Sequence, residues 1–84
     1  MGKHEKLIKR FASCPKDFSW RELEAMLRGF GYKATRRGKT GGSRIRFVHD
    51  ELPSINLHKP HPSNILKRYQ IQQIEEFLCE EGLL

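Results

Sequence analysis

The chain has little cysteine, no long apolar run and one extended stretch without acidic residues. Its two cysteines, Cys14 and Cys79, are too few and too far apart in sequence for a disulfide framework or a zinc finger. Both lie in apolar, helical sequence, so we expect buried free thiols in a reducing cytoplasm. No apolar run approaches the length that spans a membrane, and the N-terminus lacks the hydrophobic region of a signal peptide. These absences favour a small cytoplasmic domain that does not associate with a membrane.

Acidic residues are missing where basic residues are concentrated. Residues 25–49 contain seven Lys and Arg residues and no Asp or Glu. Residues 1–49 carry thirteen bases and four acids, whereas residues 50–84 carry three bases and six acids. Together with the net charge of +6, this uneven distribution of charge favours an anionic partner such as nucleic acid on one side of the molecule. A basic face that is merely solvated is the simpler alternative.

Hydrophobic periodicity predicts an α+β fold. A short helix over 5–12, or a simple lead-in, precedes a stronger helix that begins at the capping box of Ser19 and Glu22 and ends near Gly29 and Gly31. The later segments are predicted as three strands and a helix, over 32–37, 43–49, 54–58 and 67–81. The order helix, strand, strand, strand, helix predicts a single two-layer domain over residues 1–84. Its three-stranded antiparallel sheet is expected to carry both helices on one face.

Candidate binding residues surround the hairpin between the first two strands. Gly42 allows the backbone to approach a phosphate closely and Ser43 adds a hydroxyl donor. The loop lacks the strand–loop–helix context of a P-loop, so a flexible turn is an equal alternative. Arg44 and Arg46 are two residues apart, and on a strand they therefore point to the same side. Their guanidinium groups can bind phosphate oxygens there, unless this is an ordinary polar face.

A histidine–proline turn follows the third strand. Its histidines, His58 and His61, have no third metal ligand nearby, so acid–base chemistry near neutral pH is more plausible than a metal site. For RNA cleavage a base must take the proton of the 2′-hydroxyl and a cation must stabilise the phosphorane. An imidazole beside arginines can do both without a metal, although histidines in turns are also often solvated bystanders. At the start of the last helix, Lys67 and Arg68 flank Tyr69 and can hold a phosphate, unless Tyr69 simply packs in the first turn.

Two stretches, GKTGGSRIRF (38–47) and HKPHPSNILKRYQI (58–71), resemble the HicA family. Its members are the small toxins of bacterial and archaeal type II toxin–antitoxin pairs. The shared pattern is a strand that opens with Gly-Ser, a third strand that ends in a histidine–proline turn, and a basic lead-in to the last helix. The resemblance covers about residues 6–84. It implies a double-stranded-RNA-binding-like fold, mRNA endonuclease activity without a metal or other cofactor, and neutralisation by a HicB-type antitoxin that covers the active face.

One position departs from the family pattern. In the best-known members a histidine follows Gly-Ser on the second strand and is treated as catalytic, whereas this chain has Arg44. The resemblance therefore assigns the base to His61, which matches the family's histidine of the turn, or to His58, unless cleavage activity is absent. The residues expected to hold the RNA are Lys39, Gly42, Ser43, Arg44, Arg46, Lys67 and Arg68. The alternatives are a module of this fold that binds RNA without cleaving it and a domain whose basic face meets an acidic protein.

Overall fold

The chain forms three helices and a three-stranded sheet in a computed structural model that describes residues 2–36, 44–60 and 63–84. The elements are, in order, α1 (Lys3–Ala12), α2 (Trp20–Gly29), β1 (Lys33–Arg36), β2 (Arg44–Val48), β3 (Ile55–His58) and α3 (Arg68–Glu80). The predicted α+β arrangement with an antiparallel sheet is confirmed. The segment before α2 is a helix of ten residues rather than a lead-in.

The capping box predicted at the start of α2 is formed. Ser19 Oγ accepts a hydrogen bond from the backbone N–H of Glu22 at 3.2 Å, and Glu22 Oε1 accepts one from the backbone N–H of Ser19 at 2.9 Å. Burial alone would raise the pKa of Glu22, but the bonds from Ser19 and Arg10 outweigh it, so the pKa lies below its usual value. The helix ends at Gly29, and Gly31 takes a φ of 104°, which glycine adopts without strain.

The sheet has the strand order β1-β2-β3, so β2 lies in the middle. Successive side chains of a strand point to opposite faces, and burial in β2 and β3 alternates accordingly. The inner face consists of the buried residues Ile45, Phe47, Ile55 and Leu57. The outer face carries the exposed residues Arg44, Arg46, Asn56 and His58. The helices therefore cover one face of the sheet and leave the other open.

One apolar core joins all three helices to the inner face. The ring of Phe11 on α1 meets the ring of Phe18 edge-on, with centroids 5.3 Å apart, and Trp20 packs on Phe47 at 5.7 Å. Phe11 has no exposed surface. Because α1 also packs against both α2 and α3, it is part of the fold and not an appendage.

The segment that leads into α3 is bonded to the segment that precedes α2. The backbone N–H of Trp20 donates to the carbonyl of Asn64 at 2.7 Å, and that of Leu66 donates to the carbonyl of Phe18 at 2.9 Å. Residues Ser19 and Ile65 form an isolated antiparallel bridge between the same segments. These bonds fix the position from which α3 begins.

The prediction that both cysteines are buried is wrong. Both thiols are free, but Cys79 on α3 is exposed and Cys14 is half-buried in the turn after α1, where its φ is 51°. Cys79 follows the buried Leu78 by one residue, and a step of about 100° around a helix carries the next side chain off the apolar face. None of the helices in the described parts of the chain is long and apolar enough to cross a membrane.

Candidate nucleic-acid interface

The outer face of the sheet pairs an arginine with a histidine across two strands. Arg44 at the start of β2 lies opposite His58 at the end of β3, and Arg46 lies opposite Asn56. Directly opposite residues have Cβ atoms about 4.5–5.5 Å apart, so a guanidinium and an imidazole here can reach one phosphodiester. A depression of about 360 Å³ is lined by Arg44, Asn56, Leu57 and His58.

The predicted position of both arginines on the open side of the sheet is confirmed. Arg46 Nη2 donates to Ser54 Oγ at 3.3 Å, and its backbone carbonyl accepts a bond from Thr35 Oγ1 at 3.0 Å. Neither Arg44 nor Arg46 has a carboxylate partner among the described residues, whereas Arg10 forms ion pairs with Asp17 and Glu22. Their positive charges are therefore available to a phosphate group.

Charge is distributed unevenly along the sheet. None of the described strand residues is acidic. Two exposed acids, Asp50 and Glu51, lie in the turn between β2 and β3, whereas Arg44 lies at the opposite end of β2. Because His58 lies opposite Arg44, it belongs to the electropositive end of the outer face.

The start of α3 adds further cations at this end of the sheet. Lys67, Arg68 and Tyr69 are exposed, and Tyr69 keeps 57% of its surface accessible, so it is not a packing residue of the first turn. Gln70 Nε2 donates a hydrogen bond to the carbonyl of His58 at 3.1 Å, which places the first turn of α3 beside the end of β3. A groove of about 510 Å³ runs past the same turn and is lined by Cys14, Pro15, Lys16, Leu66, Lys67 and Arg68.

Most of the chain matches the model of one known protein family. A family model described as the HicA toxin of bacterial toxin–antitoxin matches residues 20–80. The chain belongs to the HicA toxin family. No curated protein and no solved structure gave a significant match.

In this HicA family member, α1 lies outside the matched part of the chain. The match begins at Trp20, the first residue of α2, and ends at Glu80, the last residue of α3. The matched elements therefore follow the order helix, strand, strand, strand, helix, as predicted from the sequence. The preceding α1 adds Phe11 to the core of that unit.

Two of the three histidines that the structure describes for this HicA family member, His4 and His49, are bonded to the backbone. His49 Nδ1 accepts hydrogen bonds from two backbone N–H groups of the turn after β2, at 2.9 and 3.2 Å. Its Nε2 therefore carries the proton and donates to the carbonyl of Phe30 at 3.1 Å. His4 Nε2 donates to the carbonyl of Met26 at 3.0 Å. The ring of His58, in contrast, is exposed and has no hydrogen-bond partner among the described residues.

Several predicted site residues lie outside the described residues, and their roles stay predictions: Lys39, Gly42, Ser43 and His61. In the sequence, Ser43 directly precedes the first residue of β2, and His61 comes three positions after the last residue of β3. No group of three or more potential metal ligands occurs in the part of the chain that the structure describes.

Gln70, which contacts the backbone of His58, was not among the residues predicted for the site. The available signal was its position one residue before Ile71 and four before Ile74, on the apolar face of α3. A polar residue at such a position must find partners inside the protein. These partners depend on how α3 packs against β3, and the residues near Gln70 in the sequence do not predict that packing.

Proposed function

We propose that this HicA family member is an endoribonuclease that cleaves mRNA without a metal or other cofactor, and that a HicB-like antitoxin neutralises it. The observation that carries the proposal is the pair of Arg44 and His58 on the open outer face. The guanidinium of Arg44 has no carboxylate partner in the described parts of the chain, and the imidazole of His58 is exposed. A phosphodiester placed over this pair meets a cation and a group that can transfer protons.

Cleavage through the 2′-hydroxyl of RNA needs a base, an acid and a stabilising cation. The base takes the 2′-hydroxyl proton, the 2′-oxygen attacks phosphorus, and the 5′-oxygen leaves with a proton from the acid. The products carry a 2′,3′-cyclic phosphate and a 5′-hydroxyl. Imidazole titrates near neutral pH and suits either proton transfer. A guanidinium stays protonated, so Arg44 can stabilise the phosphorane but cannot be the base.

The two candidate bases are supported by different arguments. His58 is supported by its position opposite Arg44. His61 is supported by the family pattern, in which it takes the place of the histidine of the turn. Arg44 at the position of the usual second-strand histidine makes one of these two side chains necessary for any cleavage by this mechanism.

The proposed RNA path extends from the outer face towards α3. Arg44 and Arg46 bind successive phosphates on the sheet, and the exposed Lys67 and Arg68 continue the electropositive surface. The exposed ring of Tyr69 can stack on an unpaired base, which is how proteins commonly hold single-stranded RNA. Further backbone contacts are expected from Lys39, Gly42 and Ser43.

The proposed antitoxin is expected to bind the same surface as the RNA. An acidic segment of a HicB-like protein that covers Arg44 and Arg46 would exclude RNA from the outer face, because both ligands need the same cations. If a HicB-like reading frame lies next to the gene of this chain, its co-expression should relieve the toxicity. Toxicity that persists although the two proteins form a complex would contradict this mode of neutralisation.

The activity test is cleavage of end-labelled RNA in EDTA by the wild-type protein and by His58→Ala and His61→Ala. We expect cleavage in EDTA and a loss of about 10²–10⁴-fold in the variant that lacks the base. RNA with a 2′-deoxynucleotide at the cleaved position should stay intact. Arg21→Ala, which removes an exposed charge from α2, is the control and should cleave like wild type.

One observation favours a second function, a module that binds RNA without cleaving it. The family resemblance implies a catalytic histidine at the position where this chain has Arg44, and arginine cannot act as the base. Salt-dependent binding of RNA that remains intact would support this alternative. The absence of any binding at moderate salt would contradict both functions and favour an acidic protein as the partner of the basic face.

A further inference from the structure

Gln70 is a buried polar residue in the first turn of α3, with 6% of its surface accessible. Its neighbours on the same face, Ile71 and Ile74, belong to the apolar core. A buried amide without partners is strongly unfavourable, because it loses its bonds to water. The side chain of Gln70 avoids this cost through bonds to two separate parts of the backbone.

These two bonds join the end of β3 to the start of α3. Gln70 Oε1 accepts a hydrogen bond from the backbone N–H of Lys67 at 2.9 Å, and Nε2 donates one to the carbonyl of His58 at 3.1 Å. Only this orientation of the amide group satisfies both partners, because an N–H cannot accept a bond and a carbonyl cannot donate one. One side chain therefore bonds both ends of the segment 58–67.

We propose that Gln70 is a positioning residue that sets the distance between His58 and the cations at the start of α3. The pairing with Arg44 fixes His58 along the sheet, and the bond from Gln70 fixes it relative to Lys67 and Arg68. The consequence for catalysis rests on the proposed endoribonuclease activity. The structural tie itself does not depend on that activity.

Two substitutions distinguish the effects of the two hydrogen bonds of Gln70. Gln70→Glu, studied at a pH where its carboxyl group is ionised, keeps an oxygen that accepts from Lys67 N–H but places a second oxygen, without a proton, against the carbonyl of His58. Gln70→Met has a similar length and removes both bonds without adding charge. Gln72→Glu is the matched control, because Gln72 is exposed on the same helix and the change in charge is identical.

The first measurement is NMR on the free protein, which needs no RNA. In wild type we expect slow exchange of the Gln70 side-chain amide protons and nuclear Overhauser effects from them to backbone protons at the end of β3. Gln70→Glu should shift the His58 resonances while the Lys67 amide stays protected from exchange, whereas Gln70→Met should lose that protection as well. Rapid exchange of the Gln70 amide in wild type, or unchanged His58 resonances in folded Gln70→Glu, would overturn the inference.

The second measurement is RNA cleavage by the same folded proteins. We expect kcat to fall about ten- to a hundredfold in both Gln70 variants, because small displacements of a reacting group have effects of this order, and to be unchanged in Gln72→Glu. An equal loss in Gln72→Glu would show an effect of charge alone and overturn the functional role. If wild type does not cleave RNA, the proposed function fails, and the NMR result still decides whether Gln70 positions His58.

Discussion

Arginine has two contrasting environments in this protein, one in the helical layer and one on the outer face of the sheet. Arg10 donates to Glu22 at 2.9 Å and to Asp17 at 2.8 Å, and its guanidinium carbon lies 5.9 Å from the centre of the Phe18 ring. The bond with Glu22 contributes most to raising the pKa of Arg10. Arg44 has none of these partners among the described residues. The same side chain is used for structure in one region and remains available for a ligand in the other.

The histidines repeat this contrast. His4 and His49 are bonded to backbone carbonyl groups of other segments. Their rings lie so close to glycines that a Cβ atom on Gly29 would collide with His4, and one on Gly31 would collide with His49. His58 is exposed and its ring makes no such bond in the described parts of the chain. We therefore expect substitutions in the helical layer to change stability, and substitutions on the outer face to change RNA binding.

The largest expected effect concerns α1, which lies outside the family match. Phe11→Ala should lower the free energy of unfolding by about 3–5 kcal/mol, because it leaves a cavity in the core. Urea denaturation measures this change. Lys9→Ala, an exposed substitution on the same helix, should change it by less than about 0.5 kcal/mol. Equal stability of Phe11→Ala and wild type would show that α1 is dispensable for folding.

The outer face should give the opposite pattern. The double variant Arg44→Ala/Arg46→Ala should bind RNA about tenfold more weakly for each arginine at 0.1 M salt. The slope of the logarithm of the binding constant against the logarithm of the salt concentration should become about two units less steep, because two phosphate contacts are lost. Fluorescence anisotropy across a salt series measures both quantities. Arg21→Ala/Arg28→Ala removes the same charge from exposed positions on α2 and is the control. Similar losses in the two double variants would mean that net charge alone governs binding.

A smaller effect is expected where His4 contacts the end of α2. Gly29→Ala would overlap the His4 ring and should lower stability by about 1–3 kcal/mol. In a His4→Ala background the same change should become neutral or stabilising by up to about 1 kcal/mol, since alanine is the better helix former. A double-mutant cycle from thermal denaturation tests this reversal of sign. Additive effects would show that His4 does not occupy that space in solution.

The smallest expected effect is the pH dependence contributed by Glu22. The pKa of Glu22 is lower in the folded protein than the usual 4.5. The ionised carboxylate therefore contributes its full stabilisation of the folded state above about pH 4.5, and this stabilisation is lost as the pH falls through the pKa of the folded protein. Glu22→Gln should therefore be about 1 kcal/mol less stable at neutral pH, with a difference from wild type that shrinks in acid. Stability curves from pH 7 to 3 measure this, and Glu24→Gln on the same helix is the control. A constant difference at every pH would contradict the assignment.

Local signals made much of the fold predictable. Ser19 and Glu22 marked the start of α2 because a capping box involves only four consecutive residues, and period-two alternation placed Arg44 and Arg46 on the outer face. Contacts between distant segments were not predictable. The bond from Gln70 to His58 depends on how α3 packs against β3. The exposure of Cys79, in contrast, follows from its position beside the apolar face of Ile71, Ile74 and Leu78, a local signal that the prediction of a buried thiol overlooked.

The register between β2 and β3 makes the candidate site sensitive to residue count. Ile55 and Leu57 point into the core from the same strand that presents His58. Deleting a single residue within β3 would exchange the two faces, bury the imidazole and bring apolar side chains to the solvent. A change of length in the turn that joins β2 to β3 would not exchange the faces, although it would disturb the bonds between that turn and His49. The strand can therefore accept other side chains on its outer face but not a change in its number of residues.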